Sequence, residues 1–338
     1  MKYEYNSFLE PYICAFLEQK KKSVSSFTYA HLCGVLQHFD HNVVDNGYTD
    51  LNFTEEQVFQ WMSTLKVKNS TISCYVTGIK SFFTFLEGYG FHPFSPSSHR
   101  GSDEYIAYDF SDEEIDLIFS IADNYVPGMH PVSPDKPHPR RKYKYIQFEL
   151  PMFLRLLFGC GLRREEAACL TLRDINFQNR SLIIRKTKSH EYRIVPMDQS
   201  LSNILFEYCK CLGLGSDMNA YIFPGVDFSN PIPAYCFQNY FKRVLTKAGI
   251  SLIGRKKHER GPCLHCFRHA FVHRSFKKGV QEGWATHDQV PWLSVYLGHK
   301  GLQETEKYLK TNSDMFDDEI DLFESFSMNV YPEVNFNE

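Results

Sequence analysis

Leu297-Gly298-His299-Lys300-Gly301-Leu302-Gln303-Glu304-Thr305-Glu306-Lys307-Tyr308 is the stretch on which the reading of this chain turns. Alone it is a weak string: a histidine after a helix-ending glycine, and a tyrosine nine residues later. It gains force from three polar clusters that precede it in order. These are Gly161-Leu162-Arg163, then Thr187-Lys188, then His265-Cys266-Phe267-Arg268. Two arginines, a lysine, two histidines and a tyrosine suit one task. Guanidinium groups stay charged and present a planar fork that matches phosphate oxygens. A lysine or histidine can move a proton, and a phenol in a positive field becomes a nucleophile.

That order and spacing resemble the tyrosine recombinase (phage integrase) family, whose pattern runs Arg, Lys, His-x-x-Arg, His or Trp, Tyr. Every catalytic position has a candidate: Arg163, Lys188, His265, Arg268, His299 and Tyr308. Six matched positions in order are far more specific than one short motif. The resemblance covers the catalytic half and, more loosely, the amino-terminal helices. It implies a mainly α fold with a small β-sheet. A helical, SAM-like core-binding domain would occupy residues 1–92, a linker 93–102, a mixed α/β catalytic domain 103–325 and a tail 326–338.

Composition permits this. A chain of 338 residues holds two domains with their own cores. Hydrophobic content of 43% with 23% charged residues describes a soluble globular protein. The start lacks an apolar signal core, and the apolar run Met152–Leu162 is interrupted by Arg155 and too short to span a bilayer. Ten cysteines without a compact spacing framework fit reduced thiols in a cytoplasm. The net charge of −3 conceals opposite blocks. Residues 136–193 carry +9 and residues 242–278 carry +10, whereas 102–123 holds eight acids and no base. Both basic blocks contain motif residues, as a DNA-facing groove requires.

Along the chain, Phe8, Leu9, Tyr12, Ile13, Phe16 and Leu17 recur at helical spacing, as do Leu32, Val35, Leu36 and Phe39. Thr54 with Gln57 reads as a capping box opening a third helix. Ile72 to Leu86 marks a fourth, ended by Gly88 and Gly90. The breaker-rich PFSPSSHRGS, residues 93–102, reads as the linker. Ser111 with Glu114 caps the next helix. The basic, proline-punctuated run 127–145 is either a DNA-contacting arm or a surface insertion. Helices are expected over 148–158 and 163–170, then strands over 181–185 and 193–196, with Lys188 near their connecting turn. Polar and breaker residues over 279–291 predict a lengthened helix or an added loop before His299.

The resemblance assigns roles. Tyr308 is the nucleophile, and Arg163 and Arg268 grip the nonbridging phosphate oxygens. Lys188 protonates the departing 5′ oxygen, with Lys186 as its rival. His265 and His299 bind phosphate oxygens or move the tyrosyl proton, and Glu166 orients the site from behind. Tyr296 reads instead as an apolar-face residue with Leu293, and His269 and His273 as helix-packing residues. The chemistry needs no metal and no cofactor. Cys263, His265, Cys266, His269 and His273 do show metal-capable spacing. Yet no second cysteine pair follows at a suitable distance, and Arg268 in their midst repels a cation.

The partners implied are double-stranded DNA and three further copies, forming a homotetramer on synapsed sites from a monomer or weak oligomer; no membrane is implied. Phe316, Ile320 and Phe323, amid acids, would form an amphipathic helix that docks on a neighbouring copy or folds back. Two rival readings keep the same fold: a type IB topoisomerase, and a catalytically silent DNA-binding protein.

Overall fold

Trp61, Phe16, Phe39, Phe53, Phe82 and Phe83 are each essentially inaccessible to solvent, and they bind four helices into one core. The computed structural model describes residues 3–97, 107–125, 145–185, 192–215, 217–226, 228–254 and 260–310. The chain divides into two compact units, Met1–Glu104 and Tyr105–Glu338. The first contains α1 (Glu10–Lys21), α2 (Ser26–Asn46), α3 (Glu55–Ser63) and α4 (Asn69–Glu87). Phe39 meets Phe53 and Trp61 edge-on at 5.0 and 5.2 Å. Each buried ring contributes about 2–3 kcal/mol by transfer from water, and each edge pair about 0.5–1.5 kcal/mol more.

The caps behave as their sequences require. Thr54 Oγ1 accepts from the Gln57 N–H at 3.4 Å, while Gln57 Oε1 accepts from the Thr54 N–H at 2.9 Å. The buried carboxylate of Asp40 on α2 accepts from the Asn6 N–H at 2.7 Å and the Ser7 N–H at 3.2 Å, pinning the chain before α1.

The second unit contains α5 (Asp112–Asp123), α6 (Ile146–Cys160), α7 (Arg164–Ala168), β1 (Ile175–Asn176), β2 (Ser181–Ile184), β3 (Arg193–Pro196), α8 (Gln199–Cys211), α9 (Ala234–Lys247), α10 (Leu264–Gln281), α11 (Thr286–Leu297) and α12 (Leu302–Lys310). The strands form an antiparallel sheet in the order β1-β2-β3, with Leu182 opposite Val195 and Ile184 opposite Arg193. Apolar almost all round, α6 buries Leu150, Met152, Phe153, Leu154, Leu156 and Leu157. It lies at the centre and packs on α5, α7, α8, α9 and α10. Ser111 and Glu114 form the capping box that opens α5.

Two expectations are refined. The helix anticipated over 163–170 is only the five residues of α7. The chain then enters a 3-10 turn at Leu172–Asp174, where Asp174 accepts both the Thr171 N–H and its hydroxyl. Asp174 holds Thr171 extended, and the helix cannot continue. The breaker-rich 279–291 stretch is absorbed by an 18-residue α10 and a tight turn at Gly283, whose φ is +89°. Gly279 lies inside α10 because the Gln289 side chain occupies the space of a side chain there; a Cβ would sit 2.0 Å from Gln289 Oε1. Among the described residues no helix is long and apolar enough to cross a membrane. Phe316, Ile320 and Phe323 lie outside them.

Candidate active site

Two helices of the second unit end on left-handed glycines, Gly161 after α6 (φ 58°) and Gly298 after α11 (φ 65°). An L side chain is strained in this conformation, and one would clash at Gly161 and be tightly crowded at Gly298. A Cβ at Gly161 would lie 2.4 Å from the Phe271 ring, and one at Gly298 would lie 3.0 Å from Arg193 Nη1. The helix ends present their carbonyls to one arginine. Arg268, on α10 and 1% exposed, donates from Nη1 to the Gly161 oxygen at 2.6 Å and from Nη2 to the Leu297 oxygen at 2.8 Å. The negative ends of two helix dipoles thus hold a buried cation.

The same Nη2 lies 3.1 Å from His299 Nε2. A guanidinium has no acceptor, so Nε2 accepts and the His299 proton is on Nδ1. From there it is donated to Thr305 Oγ1 at 2.7 Å. Burial pushes the His299 pKa down to about 4, and the charges of Arg268, Arg163 and Arg193 push the same way. His299 is a neutral imidazole of defined tautomer at pH 7.

Behind these groups sits Glu166, buried on α7. Its Oε1 accepts from Arg163 Nη1 and Arg193 Nη1, both at 2.9 Å. Its Oε2 accepts from Arg193 Nη2 at 2.7 Å and from the Arg163 N–H at 2.8 Å. Burial raises the pKa of this carboxyl, but the hydrogen bonds and charge of Arg193, with those of Arg163, outweigh it and hold the group below its ordinary range. Arg163 also donates from Nη2 to the Gly298 oxygen at 3.2 Å, while its neighbour Arg164 is half exposed beside Glu165.

Tyr308 lies on α12 and is buried. Its ring is flanked by His269, centroid 4.6 Å away, and by His299, 5.9 Å away and nearly parallel. Its hydroxyl is a hydrogen-bonding neighbour of the Arg268 guanidinium. Its backbone carbonyl accepts from His273 Nε2 at 3.3 Å, and α12 packs on both α10 and α11. His269 and His273 therefore pack, as expected, but against the tyrosine's helix. Burial, then the neighbouring His265, His273 and Arg268, push His269 down to about 3, which keeps it uncharged beside the arginine. The alternative Tyr296 is bound to the scaffold: its hydroxyl donates to the Cys160 carbonyl at 3.2 Å and its ring stacks on Phe271.

Arg163, Glu166, Arg268, His299 and Tyr308 thus share one network. His265 sits exposed at its edge, its ring 5.0 Å from that of His269. Lys188 and Lys186 lie outside the described residues. Arg193, Thr305 and the contact of His269 with Tyr308 escaped the sequence reading. For Arg193 a signal existed. It is in phase with the buried Val195 on β3, so its side chain points inward, and an inward arginine needs a carboxylate. Cys263 and Cys266 face each other, and among the described residues no group of three or more His, Cys, Asp or Glu could hold a metal ion.

Residues 138–315, more than half of the chain, match the model of the phage integrase family. The chain belongs to that family. Its members, the tyrosine recombinases, are DNA strand-transfer enzymes. A putative integrase/recombinase y4rB of Sinorhizobium fredii is 30% identical over 159 residues, 46% of this chain and 49% of that protein. The XerC recombinase of Oceanobacillus iheyensis is 24% identical over 324 residues, covering 90% and 93%. The chain therefore spans about half the length of y4rB but nearly all of this XerC. Among solved structures, XerH bound to its difH substrate aligns over 90% of this chain and 82% of its own, with a TM-score of 0.66 and 15% identity. A lambda integrase tetramer bound to a Holliday junction aligns over 89% and 76%, with a TM-score of 0.60 and 13% identity. At such identities the likeness establishes the fold.

Proposed function

We propose that this chain is a site-specific DNA recombinase that cuts and rejoins duplex DNA through a 3′-phosphotyrosyl intermediate. The observation that carries the reading is the burial of the Tyr308 phenol against Arg268, inside a network that also holds Arg163 and His299. The Tyr308 oxygen forms a bond to phosphorus, the bond from phosphorus to the 5′ oxygen breaks, and the phenolic proton is released. The exposed His265 is the group suited to bind a phosphate oxygen or take that proton, while neutral His299, both of whose ring nitrogens are engaged by Arg268 and Thr305, positions the arginine beside the phenol.

Arg163 and Arg268 neutralise charge on the nonbridging oxygens as the pentacoordinate state forms. Among the described residues, Arg268 Nε is buried without a hydrogen-bond partner. Lys188, in the connection between β2 and β3, supplies the proton to the 5′ oxygen. The phosphotyrosine retains the energy of the broken linkage, so rejoining by a 5′ hydroxyl needs no nucleotide and no metal. Residues 1–92, within the helical first unit, are the core-binding part, and residues 103–325 are the catalytic part. Four copies on two DNA segments exchange strands in pairs; in support, the lambda integrase structure is a tetramer bound to a Holliday junction.

The decisive experiment offers the protein nicked suicide substrates made from DNA flanking its own gene. The parent protein is trapped covalently, whereas Tyr308→Phe yields no adduct and still binds duplex. An undiminished adduct in that variant overturns the assignment.

A further inference from the structure

Two thiols at the mouth of α10 are not used by the strand-transfer chemistry. Cys263 is the N-cap residue of that helix and Cys266 the third residue inside it, so His265 lies between them and Arg268 follows two positions later. Their Sγ atoms are 3.6 Å apart, and the Cys263 N–H donates to Cys266 Sγ at 3.4 Å. Closing 3.6 Å to a bond of about 2.05 Å requires side-chain rotation together with a small shift of the turn, because side chains three apart on a helix have Cβ atoms roughly 5–6 Å apart and a disulfide needs about 3.5–4.5 Å. The partners differ in access: Cys263 is partly exposed, and Cys266 is 1% exposed.

The geometry points to Cys263 and Cys266 as a redox-active dithiol, with Cys263 the attacking and Cys266 the resolving thiol, oxidised by a low-molecular-weight disulfide. Their proton affinities are split in the same sense. The hydrogen bond from Cys266 is the largest influence lowering Cys263 to about 6, against the opposing effect of burial; the N–H groups of His265 and Cys266 and the nearby charge of Arg164 add to the lowering. The bond it makes to Cys263, and burial, push Cys266 up. A thiolate at a helix N-terminus facing a protonated, buried partner is the arrangement from which thiol–disulfide exchange proceeds.

The exchange balances. The Cys263 thiolate attacks one sulfur of the small disulfide, forming a mixed disulfide and releasing one small thiolate. Cys266 loses its proton to solvent, and its thiolate attacks Cys263 Sγ and expels the second small thiolate. Two protein thiols are oxidised by two electrons, and one small disulfide is reduced to two thiols. The new bond draws in the turn that carries His265 and lies ahead of Arg268. A displacement of this order at a phosphate-binding group slows cleavage on the order of tenfold. Bond formation stands without the recombinase reading, while its effect on cleavage rests on that reading.

The test treats the full chain with oxidised glutathione and follows two readouts, peptide mass and yield of DNA-linked protein. The expected result is a Cys263–Cys266 peptide two mass units lighter, together with a slowed covalent adduct restored by dithiothreitol. Cys263→Ser keeps the reduced-state adduct and becomes insensitive to the oxidant. Cys266→Ala accumulates a glutathione adduct on Cys263, which shows the order of attack even if packing around the buried thiol suffers. Oxidation confined to the exposed Cys14, Cys74 and Cys211 overturns the assignment. So does a completed Cys263–Cys266 bond with adduct yield unchanged. An absence of DNA adduct even in the reduced parent protein would count against the recombinase reading and leave the mass result intact.

Discussion

Replacing Glu166 by alanine tests how the site is held. The carboxylate accepts four hydrogen bonds, two from Arg193, whose side chain is only 9% exposed, and two from Arg163. Its removal leaves the Arg193 guanidinium buried with the Tyr296 carbonyl, 2.9 Å from Nε, as its remaining acceptor. Removing one partner of a buried pair costs about 3–5 kcal/mol. For a domain of this size that is a fall in Tm of roughly 6–20 °C, at about 2–4 °C per kcal/mol. Arg163 also loses the contact that aims its guanidinium, so covalent adduct should fall on the order of a hundredfold.

The double variant Glu166→Ala/Arg193→Met separates the two effects. With no unpaired buried charge it regains part of the stability lost by the single variant, while adduct formation stays low because Arg163 is still loose. Thermal unfolding and the suicide-substrate assay on the same preparations decide it. A single variant destabilised by less than about 1 kcal/mol, or a double variant whose losses simply add, refutes the reasoning. The pH dependence has a definite sign. Because the folded carboxyl is held below its unfolded value of 4.5, its stabilising contribution is complete above that pH and is lost as the pH falls through the folded value. The advantage of the parent protein over Glu166→Gln should shrink only in acid.

Glu149, 1% exposed on α6 and with Oε2 unpartnered among the described residues, is raised by burial to about 8. Its contribution to stability is therefore present below pH 4.5 and lost as the pH rises through 8. Urea titrations should show Glu149→Gln gaining on the parent by on the order of 4–5 kcal/mol between pH 4.5 and 9; parallel curves would contradict this. Gly161→Ala places a Cβ 2.4 Å from Phe271 at a φ of 58°. It should destabilise by about 2–4 kcal/mol and lower adduct yield by shifting the carbonyl that holds Arg268, whereas a neutral result in calorimetry would mean the turn can relax. Lys188→Ala should slow cleavage of ordinary DNA and recover on a substrate with sulfur at the 5′ bridging position, since a thiolate leaves without a proton. Equal slowing on both substrates removes Lys188 from the acid role and points to Lys186.

Much of this molecule is written in local pattern. The capping boxes of Thr54 and Ser111, the helical spacing through α1 to α4 and the alternation of β2 and β3 each depend on residues within a few positions of one another, where backbone geometry alone decides who meets. The polar series from Arg163 to Tyr308 was legible for a different reason. Phosphate chemistry admits few side-chain types, and their order along the chain is a sequence property. What holds those groups was not legible. Arg193 meets Glu166 across 27 positions, and Arg163 reaches the Gly298 carbonyl across 135. An inward arginine announces that it needs an anion but not which one. Likewise the tautomer of His299 follows from Arg268 and Thr305 converging on its two nitrogens, and the flanking of Tyr308 by His269 follows from α12 docking on α10. Sequence selected the chemical groups; packing of distant helix ends selected their partners, because burial makes a charge depend on whichever dipoles and counter-charges the fold brings to it.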